Sequence, residues 1–201
     1  MEVRLNGRVY TCLEQLREQA DEELFLFLEE WFDDRSYVLG HTSGSTGAPK
    51  EIQLSKADMR ASARMTNAFF AIGRESVLLL CLSVSYIAGK MMVVRALEAG
   101  AELLTVKVSS HPLRITGQEE YVDRRIDLAA MVPMQVEESM KSESEKQRFG
   151  YIRHLIIGGA PVSVALEERL KKIPTQCYAT YGMTETVSHI ALKKLNSDPA
   201  Y

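Results

Sequence analysis

The spacing of apolar positions changes several times along the chain, and each change marks an element. Val3–Leu5 and Val9–Thr11 are short alternating stretches separated by Asn6-Gly7, a pair that supplies the positive φ angles of a tight hairpin turn. Thr11-Cys12-Leu13-Glu14 has the spacing of a capping box and predicts a short helix. Asp21 is placed to cap a second helix, in which Leu24, Leu28 and Phe32 share one face. From Ser36 onward, short apolar runs alternate with longer amphipathic ones. Ser36–His41, Glu51–Leu54, Val77–Leu82, Glu102–Val106, Ile126–Val132, Ile152–Ile157 and Gln176–Thr180 read as strands, with Val187–Leu192 as one more. Helices are expected from Ser55 and Asp58 to Ala71, over Ile87–Ala99 with Gly100 closing it, and over Ser163–Lys172. Pro133 stops the Ile126 run. From Glu137 to Arg148, seven of twelve residues are ionisable, which predicts a solvated helix face and turn. Strands alternating with helices in this way predict an α/β fold, a mostly parallel sheet flanked by helices on both faces. Such sheets bind ligands in the crevice beyond the carboxyl ends of their strands, so the loops after strands are the places to look for chemistry.

Composition narrows this picture. The 201 residues are 46% apolar and 25% charged, ordinary for one globular core. A net charge of −3 gives no bulk electrostatic reason to bind nucleic acid or an anionic membrane. Cys12, Cys81 and Cys177 are odd in number and widely spaced, which argues against a disulfide framework or zinc cluster. His41, His111, His154 and His189 show no metal-ligand spacing. No apolar run approaches the 18 residues of a membrane span, and the first residues lack a signal pattern. The expectation is a cytoplasmic protein.

The loop after Ser36–His41 reads Thr42-Ser43-Gly44-Ser45-Thr46-Gly47-Ala48-Pro49-Lys50. Glycines let the backbone approach anionic oxygens, free N–H groups form an anion nest, and hydroxyls and a lysine add donors. Spacing excludes a Walker A loop, since Glu51 stands where that motif needs a hydroxyl residue. A plain Ser/Gly-rich connection is the competing reading of the residues alone. The nine-residue string resembles the phosphate-loop signature of the adenylate-forming (AMP-binding) superfamily, which includes the acyl-CoA synthetases. Tyr181-Gly182-Met183-Thr184-Glu185, after a strand, is similar to that superfamily's second motif. The resemblance implies that the aromatic packs by adenine, Thr184 contacts the α-phosphate or acyl carboxylate, and Glu185 binds Mg²⁺, with Thr46 a second metal-site candidate. Magnesium favours such hard oxygen ligands together with phosphate oxygens. Gly158-Gly159-Ala160 resembles the superfamily's turn against adenine and the acyl pocket; Ser163 capping the next helix explains the same turn locally.

The acid is read from softer likeness. Tyr86 occupies the position of an aromatic that gates the acyl site in the superfamily. Lys90 departs from the small or apolar residue expected nearby; it would pair with a second carboxylate of the acid, or be a solvated cation at a helix start. Tyr86–Leu97 and Thr184–Leu192 resemble a compact branch of bacterial o-succinylbenzoate–CoA ligases, which belong to menaquinone biosynthesis. That substrate would give Lys90, Ser188 or His189 a group to bind, although a lone histidine is also a common structural residue. Another aryl- or acyl-CoA synthetase, or a nucleotide-binding module without turnover, are the alternatives. The likeness covers the chain from Leu24 onward.

The resemblance implies that the acid's carboxylate attacks the α-phosphorus of ATP, pyrophosphate leaves, and the acyl group then passes to the thiol of coenzyme A. Thr42, Ser43, Gly44, Ser45, Thr46, Gly47 and Lys50 would hold the β- and γ-phosphates. Positioning and charge neutralisation carry such a step. The superfamily also needs a ribose-binding aspartate, a hinge and a lid domain with an adenylation lysine, none of which can be placed before residue 201. The expectation is therefore a truncated N-terminal adenylation domain over residues 1–201, with little activity alone and its lid domain absent.

Overall fold

The computed structural model describes residues 1–41, 51–114 and 124–196. Asn6 (φ 48°) and Gly7 (φ 80°) turn β1 (Val3–Leu5) back onto β2 (Arg8–Tyr10), as their sequence requires. Helix α1 (Leu13–Leu16) starts one residue later than expected. Its N-cap is Cys12, which has no side-chain oxygen to offer, and the Thr11 amide donates instead to Gln15 Oε1 at 3.1 Å. Three other helices have the expected caps. Asp21 accepts from the Leu24 amide (2.8 Å) at α2 (Glu22–Phe32), and Ser55 from Asp58 (3.3 Å) at α3 (Lys56–Phe70). Ser163 accepts from Leu166 (3.1 Å) at α7 (Val164–Leu170). Each such cap stabilises its helix by about 1 kcal/mol. Helix α4 (Ile87–Ala99) ends on Gly100 in the left-handed region, φ 61°.

The main sheet has, among the described residues, eight strands in the order β10-β9-β8-β7-β5-β6-β1-β2. Its members include β5 (Val77–Leu80), β6 (Glu102–Thr105), β7 (Ile126–Met131), β8 (Ile152–Ile157) and β9 (Gln176–Gly182). From β9 through β1 every neighbouring pair is parallel; β2 at one edge and β10 (His189–Lys194) at the other are antiparallel. Side chains of a strand point alternately to its two faces, and both faces are covered here. Leu78 and Leu80 join the core with Leu28, Trp31, Met59 and Met92 of α2, α3 and α4. Leu79 and Cys81 join the opposite core, with Phe149, Leu166 and Leu170. Burying each large apolar side chain contributes about 1.5–3 kcal/mol.

Three further features depart from the sequence reading. The strands β3 (Tyr37–His41) and β4 (Glu51–Ser55) pair with each other, antiparallel, in a two-stranded ribbon outside the main sheet. Pro133 ends β7 and also opens a helix, α5 (Pro133–Ser139), because the first helical position needs no N–H. The charged stretch continues as α6 (Glu143–Arg148) but is not solvated throughout. Glu145 is buried there, accepting a hydrogen bond from His111 Nδ1 at 3.0 Å.

Candidate active site

Adjacent parallel strands β8 and β9 bring the residues that follow them to one edge of the sheet. A Cβ on Gly158 would lie 2.2 Å from Thr180 Oγ1, so only glycine permits this approach of the two strand ends. Thr180 Oγ1 donates to the Ile157 carbonyl at 3.3 Å, and Gly159 turns the chain at φ 81° toward the exposed Ala160. Tyr181 is exposed. A Cβ on Gly182 would meet the Ser188 carbonyl at 2.5 Å, so this glycine lets the chain fold back on itself.

Between Gly182 and Ser188 the chain makes one 3-10 turn, Thr184–Thr186. The Met183 amide donates to Thr186 Oγ1 (3.0 Å), and that hydroxyl has the Met183 and Ser188 carbonyls at 2.9 and 2.8 Å as acceptors. Val187 follows with φ 67° and ψ −36°. A β-branched residue in that region stores roughly 1–3 kcal/mol of strain. The outcome is a sharp change of environment: Glu185 is exposed and Ser188 is buried. Glu185 has no hydrogen-bond or ion-pair partner among the described residues, the condition that a carboxylate ligand of a hard cation must meet.

The β3–β4 ribbon reaches the same place. A Cβ on Gly40 would meet Leu54 Cδ1 at 2.6 Å and Thr184 Cγ2 at 3.5 Å. Thr184 therefore sits beside the end of β3, two residues before Thr42. Thr42, Ser43, Gly44, Ser45, Thr46, Gly47 and Lys50 themselves lie outside the described residues.

A buried guanidinium stands next to this turn. Arg95 of α4 donates from Nη2 to Ser188 Oγ at 2.8 Å and lies 3.5 Å from His189 Nδ1. Its Nε has no partner, and no carboxylate is in ion-pairing range among the described residues. Burial lowers its pKa to about 10, so it stays charged at neutral pH. His189 is pushed down to about 4, by burial first and then by Arg95. It is neutral, with Nδ1 accepting from Arg95 and Nε2 left to donate toward Thr66 Oγ1 at 3.5 Å.

Lys90 lies elsewhere. Five residues along a helix is about 140° around its axis, so Lys90 and Arg95 leave α4 on different sides. Lys90 Nζ is 3.9 Å from Glu30 Oε2 and 4.5 Å from the centre of the Phe27 ring, both on α2. It is buried, not a solvated cation, and its charge is already opposed from within the protein. A carboxylate of the protein, Glu30, thus faces Lys90 where the sequence reading placed a second carboxylate of the acid. Tyr86 caps α4 and is exposed. Sequence reasoning passed over Arg95; the available signal was one guanidinium in a helix otherwise buried on nearly all sides, between Met91–Val94 and Ala96.

The family model described as AMP-binding enzyme matches residues 9–200. The chain belongs to the AMP-binding enzyme family. An acyl-CoA synthetase (AMP-forming)/AMP-acid ligase II-like protein from Dyadobacter fermentans superposes with a TM-score of 0.81 at 36% identity, covering 92% of this chain and 52% of that one. A 2-succinylbenzoate–CoA ligase of Oceanobacillus iheyensis is 25% identical over 198 residues, which is 94% of this chain and 40% of that protein. The Escherichia coli enzyme of the same name is 28% identical over 164 residues, 82% of this chain and 34% of that protein. At fold level, the Bacillus subtilis o-succinylbenzoate coenzyme A synthetase in complex with ATP and magnesium superposes with a TM-score of 0.64 at 22% identity, covering 78% of this chain and 32% of that one. The chain thus spans from a third to about half the length of these AMP-binding relatives. Among the described residues no helix is long and apolar enough to cross a membrane.

Proposed function

We propose that this chain carries the nucleotide- and acid-binding part of an ATP-dependent, AMP-forming acid–CoA ligase whose acid bears a second anionic group, with o-succinylbenzoate the leading substrate. Arg95 carries this reading. A buried, charged guanidinium with an unsatisfied Nε and no carboxylate in range among the described residues is costly, unless a ligand supplies the missing anion. Ser188 and the neutral His189 line the same spot, and Tyr86 stands at the start of the helix that holds Arg95.

In this reading Thr184 orients the α-phosphate against the acid's carboxylate. Glu185, with Thr46, holds Mg²⁺, which offsets phosphate charge when bound. Gly158, Gly159, Ala160, Tyr181 and Gly182 border the adenine, and Thr42–Gly47 with Lys50 grip the β- and γ-phosphates. Coenzyme A is the acyl acceptor, residues 1–201 act as the adenylation domain, and a lid domain completes the enzyme. The names of the curated relatives and the Glu185 carboxylate, exposed and without a partner among the described residues, support this assignment.

Calorimetric titration of the 201-residue chain with ATP·Mg²⁺, then with o-succinylbenzoate and with benzoate, tests it. The dicarboxylate is expected to bind at least about tenfold tighter than benzoate, a difference of about 1.4 kcal/mol. Equal affinities would remove the dicarboxylate assignment, and failure to bind ATP would remove the ligase reading. Acid-dependent ATP–pyrophosphate exchange separates a ligase from a binding module; on this chain alone it is expected to be slow.

A further inference from the structure

The strands of the sheet have a second end. The candidate active site follows the carboxyl ends of β8 and β9; a cavity of about 320 Å³ lies at the amino ends of β5 and β6, beside β1. Leu24, Leu28 and Trp31 of α2 face Val93 and Leu97 of α4 across it. Three guanidiniums, of Arg4, Arg60 and Arg74, and two carboxylates, of Glu2 and Glu98, complete its wall. Two of those cations are paired: Arg60 Nη1 with Glu98 Oε1 at 2.6 Å, and Arg74 Nη2 with Glu2 Oε1 at 2.8 Å.

Arg4 is not. Its Nη1 donates to the main-chain carbonyls of Arg74 and Gly100, which fixes the guanidinium in place. Its Nε and Nη2 have no hydrogen-bond acceptor, and no carboxylate is in ion-pairing range, among the described residues. Glu102 is near enough to feel its charge, but that carboxylate is held by Arg124 and the Gly7 amide. A cavity of small-molecule size, walled by apolar side chains of α2 and α4 and by two internal ion pairs, with one fixed guanidinium that no carboxylate pairs among the described residues, suits one ligand chemistry: an apolar tail carrying a carboxylate.

The geometry points to a second ligand site here, remote from the reacting groups, that binds an apolar monocarboxylic acid between α2 and α4. It does not depend on the ligase reading. Trp31 is the only tryptophan of the chain and lies in the wall, so its fluorescence reports on the cavity directly. Octanoate is the probe, titrated at saturating ATP·Mg²⁺ and o-succinylbenzoate so that the other site is occupied. A saturable change in Trp31 emission is expected, with octanamide binding at least about tenfold weaker because it lacks the charge that the guanidinium selects. Arg4→Met should abolish the preference for octanoate over octanamide, and Ala96→Phe should abolish the signal by filling the cavity. No saturable change, equal affinity for octanoate and octanamide in the unaltered chain, or an unchanged preference for octanoate in Arg4→Met would each overturn the proposal. The octanamide comparison needs no substitution, so the test stands even if Ala96→Phe does not fold.

Discussion

Lys90 and Arg95 are two buried cations five residues apart on one helix, and they have opposite surroundings. Lys90 meets Glu30 and the face of Phe27; Arg95 meets three neutral side chains, Met92, Ser188 and His189, and keeps an unpartnered Nε. The chain supplies the counter-charge for one and leaves it out for the other. A cation whose anion lies inside the protein is part of the scaffold, whereas a cation that lacks one within the described residues is a candidate for an anion from outside. Sequence alone singled out Lys90 and passed over Arg95, because it showed the lysine's unusual position and not the Glu30 side chain that faces it on α2.

The largest expected effect breaks the Lys90 side. Glu30→Ala leaves Lys90 buried without its anion and removes the acceptor of the Leu39 amide, so chemical denaturation should show a loss of about 3 kcal/mol. Lys90→Met should cost less than about 1 kcal/mol, since a thioether packs well on Phe27, and acid affinity should not change. On the other side, Arg95→Met should weaken o-succinylbenzoate binding by about a hundredfold, or about 2.7 kcal/mol, in calorimetry. Its denaturation midpoint should hold or rise, because an uncompensated buried charge has gone. A parallel loss of stability and affinity would remove the distinction between the two cations.

pH separates the two sides further. His154 and His189 are held near pKa 4 in the fold, by burial first, against 6.5 unfolded. Between those values the unfolded chain binds more protons, so stability rises with pH and is lost as pH falls from 6.5 toward 4. The slope is at most about 2.7 kcal/mol per pH unit for two protons, and His189→Gln should remove one of the two. Lys90 acts in the alkaline range. Burial outweighs the attraction of Glu30 and Glu23 and lowers its pKa from 10.5, so its contribution makes the fold more stable as pH rises toward that value. The smallest effect is expected at Val187. Val187→Gly relieves the positive φ and should raise the unfolding free energy by about 1 kcal/mol, while acid affinity drops a few-fold because Ser188 and His189 are held less firmly.

Much of the fold was legible because its signals are local. Asn6-Gly7, Asp21, Ser55, Ser163 and Gly100 each act within four residues, and each does what its chemistry dictates. Runs such as Val77–Leu80 read as buried strands because both faces of the sheet are covered. What escaped was long-range pairing. The association of β3 with β4, the Glu30–Lys90 contact and the place of Arg95 beside Ser188 link residues up to 93 positions apart, and no single-sequence period encodes them. The Tyr181–Glu185 motif was readable as a string, but the strained Val187 that follows it was not.

The β3–β4 ribbon has a dynamic consequence. Among the described residues it shares no ladder hydrogen bonds with the eight-stranded sheet and is moored instead by contacts such as the Leu39 amide on Glu30, the Lys56 amide on the Ser36 carbonyl, and the buried side chains of Val38 and Leu54. Such a unit opens at a lower free energy than the sheet it leans on. Its amides should exchange with solvent sooner than those of β5, β7 and β8, and a ligand that grips both Thr184 and the end of β3 would slow them selectively.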